Sequence, residues 1–200
     1  MKKVIWGVLS TAKIGRERVL PGMLKSSLLE IRAIASRDEA RGRAAANALG
    51  IPRAYGSYEA LLADPEIEAI YNPLPNHLHV PLTLQAAAAG KHVLCEKPIA
   101  LTADEATQLR AAAGKVLIAE AFMVRFHPQW LRARELVRDG RIGTLRAVQM
   151  FFGYNNPDPA NVRNKADIGG GGLYDIGCYA IVAGRFFLGA EPVRGIALID

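Results

Sequence analysis

Glu96-Lys97-Pro98 closes the run His92-Val93-Leu94-Cys95, which is apolar, partly β-branched and preceded by Gly90. That pattern reads as a short buried strand, so the charged pair falls where a strand leaves its sheet. Pro98 bars Lys97 from the helical region and holds it extended. In an open α/β sheet, ligands bind at the carboxyl ends of the strands, and a lysine fixed there is a positioned ammonium available for chemistry. The alternative is a surface lysine before an ordinary turn. Far along the chain, Gly169 to Gly172 lead into Leu173-Tyr174-Asp175-Ile176-Gly177-Cys178-Tyr179. On a helix Asp175 and Tyr179 share one face, which sets a carboxylate beside a phenol. The glycines let the backbone lie against a ligand without obstruction, or act as a hinge. Taken alone, this segment fits a packed aromatic and a surface carboxylate equally well.

The elements around Lys97 alternate between strand and helix. Val4-Ile5-Trp6-Gly7-Val8-Leu9 is a buried-strand pattern that runs straight into Ser10-Thr11-Ala12-Lys13-Ile14-Gly15. Against the dinucleotide fingerprint, Ser10 and Ala12 replace the first two glycines and Gly15 supplies the third. Small side chains there permit a tight turn and close approach to a pyrophosphate, with a helix N-terminus aimed at the anion. A second strand, Ile31 to Ala35, ends in Ser36-Arg37, where a ribose-reading residue is expected. A hydroxyl and a guanidinium suit a 2′-phosphate, which points to NADP before NAD. Asp38 is read as the cap of the next helix, through Leu49. Arg53-Ala54-Tyr55 is a short strand and Ser57 to Ala63 a helix. Glu68 to Tyr71 is a strand leading into Asn72-Pro73-Leu74-Pro75-Asn76, with Asn76 as N-cap of a helix from His77 to Ala89. His77 and His79 lie two apart and face different ways on a helix, and no zinc spacing is present, so no metal site is expected. Thr102 caps a helix to Ala113, Glu105 completes a capping box, and Val116 to Ala121 is a further strand. Such a β-α series is the signature of a doubly wound parallel sheet.

The totals bound the function. The chain has 200 residues, 50% apolar and 22% charged, an ordinary globular balance. Its net charge is +6, with the 25 basic residues spread rather than striped, which argues against a nucleic-acid surface. Val4 to Leu9 is too short for a membrane span or signal core. Cys95 and Cys178 read as reduced, buried thiols in a reducing compartment, placing the protein in the cytoplasm. Beyond Pro128 the character changes. A basic amphipathic helix reaches Arg138, Gly140 and Gly143 frame a turn, and Leu145 to Phe152 alternates as a strand would.

With Glu96-Lys97-Pro98, Pro75-Asn76-His77-Leu78-His79 and the glycine-led segment from Asp175 to Tyr179 in order, the chain resembles the glucose–fructose oxidoreductase/inositol dehydrogenase family over essentially its whole length. The resemblance implies an α/β Rossmann domain over residues 1–121. Over 122–200 it implies the start of an α+β substrate and oligomerisation domain on a mostly antiparallel sheet. Relatives continue well past this length, so the second domain is expected to be incomplete, with a strand at Ile196 to Asp200. The implied activity is NAD(P)-dependent hydride transfer to or from a sugar, polyol or dihydrodiol, by a homo-oligomer in full-length form, with no nucleic-acid or membrane partner. A non-catalytic NADP-binding sensor on the same scaffold, or an inactive fragment, is the competing reading.

Residue by residue, Lys97 matches the active-site lysine, preceded by Glu96 near the nicotinamide ribose and followed by a commonly cis bond to Pro98. Asp175 and Tyr179 match the acid and the proton-transfer residue of the tyrosine-bearing branch, which resembles dihydrodiol and xylose dehydrogenases. Cofactor contacts are implied for Ser10, Thr11, Ala12, Lys13 and Ile14, for Ser36 and Arg37, and for Leu74, Asn76 and His79. Arg125 and Arg163 fall near the nicotinamide and substrate, and Tyr55 matches an adenosine-side contact. In this scheme a phenol that titrates near pH 10 when free is brought toward neutrality by the Lys97 ammonium.

Overall fold

The computed structural model describes residues 2–198. The chain divides between Ala121 and Phe122 into two compact units.

The first unit is a six-stranded parallel sheet with helices between the strands. Its strands are β1 (Val4–Leu9), β2 (Leu29–Ala35), β3 (Arg53–Tyr55), β4 (Ala69–Asn72), β5 (His92–Glu96) and β6 (Ile118–Ala121), in the order β3-β2-β1-β4-β5-β6. Sequence order reverses between β1 and β4, which opens a crevice at the carboxyl edge. Register sets that edge: Leu9 pairs with Ala35, Ala35 with Tyr55, and Asn72 with Cys95. Adjacent residues face opposite sides of a sheet. Leu9, Ile70, Val93 and Cys95 accordingly enter one buried layer, and Val8, Ile34 and Tyr71 the other.

Local chemistry sets the helices. A π-helical turn Gly15–Val19 runs into α1 (Leu20–Met23). Asp38 caps α2 (Glu39–Leu49) by accepting from the Arg41 amide at 3.0 Å. Ser57 caps α3 (Tyr58–Leu62), and Thr102 caps α5 (Ala103–Ala112). The Glu105 carboxylate accepts from the Leu101 amide at 2.8 Å, one residue ahead of the Thr102 amide that a capping box uses. The helix expected from His77 starts later: Asn76–Leu78 is a 3-10 turn, and α4 spans His79–Ala88.

The second unit contains α6 (Pro128–Arg138) and α7 (Cys178–Leu188), the latter entered through a π-helical turn Leu173–Gly177. The strand expected over Leu145 to Phe152 is not formed. A strand exists through its ladder, and no described segment of this unit pairs with it. An antiparallel sheet is therefore absent from the described residues of this unit. Ile196 to Leu198 are likewise unpaired, and Ile199 and Asp200, the end of that expected strand, lie outside the described residues. Cys95 is fully buried, but Cys178 is only half-buried, and no disulfide joins them.

Candidate active site

The carboxyl edge of the first unit gathers most of the residues expected to hold a dinucleotide. β1 delivers Ser10 in a left-handed conformation, φ 70°, which is the conformation a glycine adopts at no steric cost. Its Oγ accepts from the Ala12 amide at 3.2 Å, and the Arg16 Nε donates to the Thr11 carbonyl at 2.9 Å, tying the loop to the turn that follows. Thr11 is buried, Ala12 and Ile14 are half-buried, and Lys13 is exposed. A Cβ at Gly15 would sit at ordinary contact distance from the Tyr71 ring and from Pro73, at 3.5 and 3.6 Å.

β2 ends at Ser36, buried, and Arg37, exposed. The Ser36 Oγ accepts from the Asp38 amide at 3.2 Å, while the Asp38 carboxylate is turned away to cap α2. Tyr58, buried at the start of α3, has its phenol pushed up by burial and drawn back by the Arg37 guanidinium. A hydroxyl and a guanidinium with the nearest carboxylate withdrawn fit the 2′-phosphate end of NADP.

β5 ends at Glu96, and Lys97 follows with a cis bond to Pro98. The Glu96 Oε1 accepts from the Tyr71 hydroxyl at 2.7 Å. The Ile99 amide donates to Glu120 on β6 at 2.9 Å, which pins the chain beyond Pro98. Cys95, one residue before Glu96, is not a nucleophile: burial pushes its thiol up to about 12.

Three residues expected to contact the cofactor have partners within the chain. The Tyr55 hydroxyl donates to the Asp64 carboxylate at 2.8 Å, and the Asp64 carbonyl accepts from Lys91 at 2.8 Å. His79 is 1% exposed, and both ring nitrogens face backbone carbonyls, those of Pro98 at 2.6 Å and Leu74 at 2.7 Å. Burial holds its pKa below the ordinary imidazole value despite those two bonds. The ring is a tie between two loops of the carboxyl edge. The Leu74 side chain is buried in the core layer around Leu9 and Ile70.

In the second unit, Tyr179 is buried edge-on against the rings of Phe122 and Phe152, with centroids 5.0 and 5.5 Å away. Asp175 lies in the π-helical turn and Tyr179 in α7, so the regular four-residue spacing of one α-helical face does not apply. The Asp175 carboxylate receives the Arg163 Nε at 3.0 Å on one oxygen and the Tyr154 hydroxyl on the other. Burial, then the Asp175 charge, pushes the Tyr154 phenol above its ordinary range.

Within the four-glycine run Gly170 packs against protein, while Gly171 and Gly172 are exposed with open space beside them. The Gly170 amide donates to the Lys165 carbonyl at 2.8 Å and the Gly171 amide to the Arg163 carbonyl at 2.7 Å. A Cβ at Gly170 would fall 2.5 Å from the Lys165 oxygen, so no side chain fits. Arg125 is exposed in the 3-10 turn Met123–Phe126. Tyr71, Glu120 and Tyr154 were not singled out by sequence. Each is brought to its partner by tertiary packing over 21 to 25 residues, a distance that carries no local pattern.

Known proteins match both units of the chain. Residues 4–118 match the model of an oxidoreductase family with an NAD-binding Rossmann fold, and residues 130–200 match the GFO/IDH/MocA C-terminal domain. The chain is 52% identical, over its full length, to 60% of an uncharacterized oxidoreductase of Rhizobium meliloti. It is 48% identical, over 93% of its length, to 58% of a D-xylose 1-dehydrogenase (NADP(+)) of Haloferax volcanii. A 3-ketoreductase from Actinomadura kijaniata, solved with NADP and TDP-benzene, superposes with a TM-score of 0.84 at 35% identity, covering 94% of this chain and 58% of that one. The chain spans about 60% of the length of the curated relatives it matches. With family models matching both units, the chain belongs to the GFO/IDH/MocA oxidoreductase family.

Proposed function

We propose that the chain is the cofactor-binding unit and part of the substrate unit of an NADP-preferring oxidoreductase. It would move a hydride between the nicotinamide and a hydroxyl or carbonyl of a sugar, polyol or dihydrodiol. The observation that carries the reading is the end of β2: the Ser36 hydroxyl and exposed Arg37 stand at the crevice while Asp38 is occupied as a helix cap. The relatives that act on xylose and that bind NADP with TDP-benzene support the cofactor and the sugar class. The two cysteines, not joined in a disulfide, suit a reducing cytoplasm.

When bound, the reduced nicotinamide supplies the hydride. The chain's own groups handle position and proton. Ser10 to Ile14 present backbone amides to the pyrophosphate at the end of β1. Ser36 and Arg37 hold the 2′-phosphate, Glu96 holds the nicotinamide ribose, and Asn76 lies along the same edge. Lys97 hydrogen-bonds the substrate oxygen through Nζ and favours the phenolate form of Tyr179. Tyr179 Oη passes a proton to the forming alkoxide. Asp175, held by Tyr154 and Arg163, is an anion that orients the substrate, and Arg125 serves the nicotinamide and substrate end. Positioned acid–base groups contribute roughly 10² to 10⁴ in rate.

The test uses the protein that carries this chain, assayed with a panel of aldoses, polyols and dihydrodiols by reduced-nicotinamide absorbance. Tyr179→Phe and Lys97→Ala are expected to lower kcat by roughly 10² to 10⁴ with the NADPH dissociation constant preserved. Arg37→Ala is expected to erase the preference for NADPH over NADH. Tight NADPH binding with no turnover on any substrate, in wild type and variants alike, would instead favour a cofactor-binding sensor.

A further inference from the structure

Tyr71 is fully buried in the middle strand of the switch region, where it pairs with Val8 on β1 and Leu94 on β5. Residues two apart on a strand face the same side, so Leu94 and Glu96 share the face that Tyr71 occupies. The phenol reaches along it to the Glu96 Oε1 at 2.7 Å. The other carboxylate oxygen, Oε2, accepts from the Lys97 amide at 3.3 Å. The opposite flank of the same ring lies under the dinucleotide loop, with Cε1 3.5 Å from where a Cβ on Gly15 would sit. One buried ring thus lies beside the Gly15 turn that follows β1 and hydrogen-bonds the carboxylate at the end of β5.

We propose that Tyr71 is a positioning residue for the nicotinamide end of the cofactor site, acting through Glu96. The proposal rests on the reading of Glu96 as the group beside the nicotinamide ribose. A glutamate at a strand end has three side-chain torsions. The Tyr71 and Lys97 donors fix the carboxylate, so the ribose meets an acceptor already oriented and less entropy is lost on binding. Burial and the adjoining Glu96 charge raise the phenol well above its ordinary range, so it stays a donor at every working pH.

Two ligands separate this role from a merely structural one. NADPH carries the nicotinamide ribose, whereas 2′,5′-ADP carries only the adenosine-side phosphates. Fluorescence and calorimetric titrations of the chain with both are compared for wild type, Tyr71→Phe, Glu96→Gln and the double variant. Tyr71→Phe is expected to weaken NADPH about tenfold, the loss of one hydrogen bond to a charged group, and to leave 2′,5′-ADP within about twofold. Glu96→Gln should show the same selectivity. The double variant should bind NADPH no more weakly than the worse single variant, since the two residues act in series.

NADPH affinity unchanged in Tyr71→Phe overturns the proposal, as does parallel weakening of both ligands or an additive double variant. If Tyr71→Phe does not fold, Tyr71→Met keeps an apolar filler without the hydroxyl and takes the same two titrations. Wild-type chain that binds 2′,5′-ADP but not NADPH overturns this proposal and leaves the adenosine end of the site standing. Wild-type chain that binds neither ligand overturns the cofactor reading and this proposal with it.

Discussion

Ser10 carries a φ of 70° in a loop whose next residues face a pyrophosphate in the proposed site. A side chain in that region costs about 1–2 kcal/mol relative to glycine. Glycine brings back part of that cost as unfolded-chain entropy, and here it loses the Oγ that receives the Ala12 amide. Ser10→Gly is therefore expected to lie within about 1 kcal/mol of wild type and to keep NADPH binding. Ser10→Val adds a β-branch where left-handed backbone tolerates it least, and is expected to lose more than about 1 kcal/mol and to weaken NADPH. Urea melts with and without NADPH read both. At this scale the sequence was legible wherever one residue constrains its neighbour. Pro98 fixed Lys97, Asp38 followed by Glu39 announced a cap, and Ser36-Arg37 stood at a countable distance from Gly15. It was not legible where a side chain chooses a distant partner. Tyr55 takes Asp64, His79 takes two carbonyls, and Tyr71 takes Glu96; in each case packing supplies the partner.

The first unit's elements are held at their amino edge by one buried carboxylate. Asp64 follows α3 and accepts from Arg53 at 2.9 Å, Tyr55 at 2.8 Å and the Glu66 amide at 2.9 Å, while its carbonyl accepts from the buried Lys91 ammonium at 2.8 Å. Burial alone would push the carboxyl up. The Glu66 amide, the Tyr55 hydroxyl and the Arg53 guanidinium outweigh it and hold the pKa below the ordinary carboxylate value. A group whose folded pKa is depressed contributes stability above its unfolded pKa, near 3.9, and that contribution is lost as pH falls through the folded value. Asp64→Ala is expected to cost about 1–3 kcal/mol at neutral pH by leaving the Tyr55 hydroxyl and the Glu66 amide without their acceptor, while Arg53 keeps its ion pair with Glu66. The variant should also lose less stability than wild type on acidification below about pH 4, read by thermal melts across pH.

In the second unit the matching constraint is steric. Gly170→Ala places a methyl 2.5 Å from the Lys165 carbonyl, so the turn that holds Arg163 against Asp175 must shift. The expected outcome is a drop in kcat comparable to that of Arg163→Ala, with NADPH binding preserved, in the protein that carries this chain. Helices bounded by caps were readable from sequence, as were strands with apolar runs. The two π-helical turns, Gly15–Val19 and Leu173–Gly177, were not, because a π turn is a tertiary compromise inside a helical pattern. Leu145 to Phe152 misled for the converse reason: alternation supplies a strand's faces, and only a neighbouring strand supplies its ladder.

At the scale of the molecule the two units differ in how they treat apolar side chains. The first buries most of its Ile, Val and Leu in two layers against a sheet, with Leu28 and Leu117 among the exceptions. The second leaves Phe151 92% exposed, with Val193, Ile196 and Leu198 equally open among its described residues. Soluble chains rarely show apolar surface in such concentration without a covering partner. This difference has a direct consequence for behaviour in solution. The 200-residue chain is expected to bind the apolar dye ANS several-fold more strongly than a chain of residues 1–121, and to associate as its concentration rises, read by light scattering. Phe151→Glu combined with Ile196→Glu should lower both signals while leaving NADPH affinity unchanged, since the residues proposed to hold the dinucleotide lie almost entirely before Ala121. Equal dye binding by the two chains would mean that the exposed side chains are covered in solution, and an affinity loss in the double variant would mean that they bear on the cofactor site.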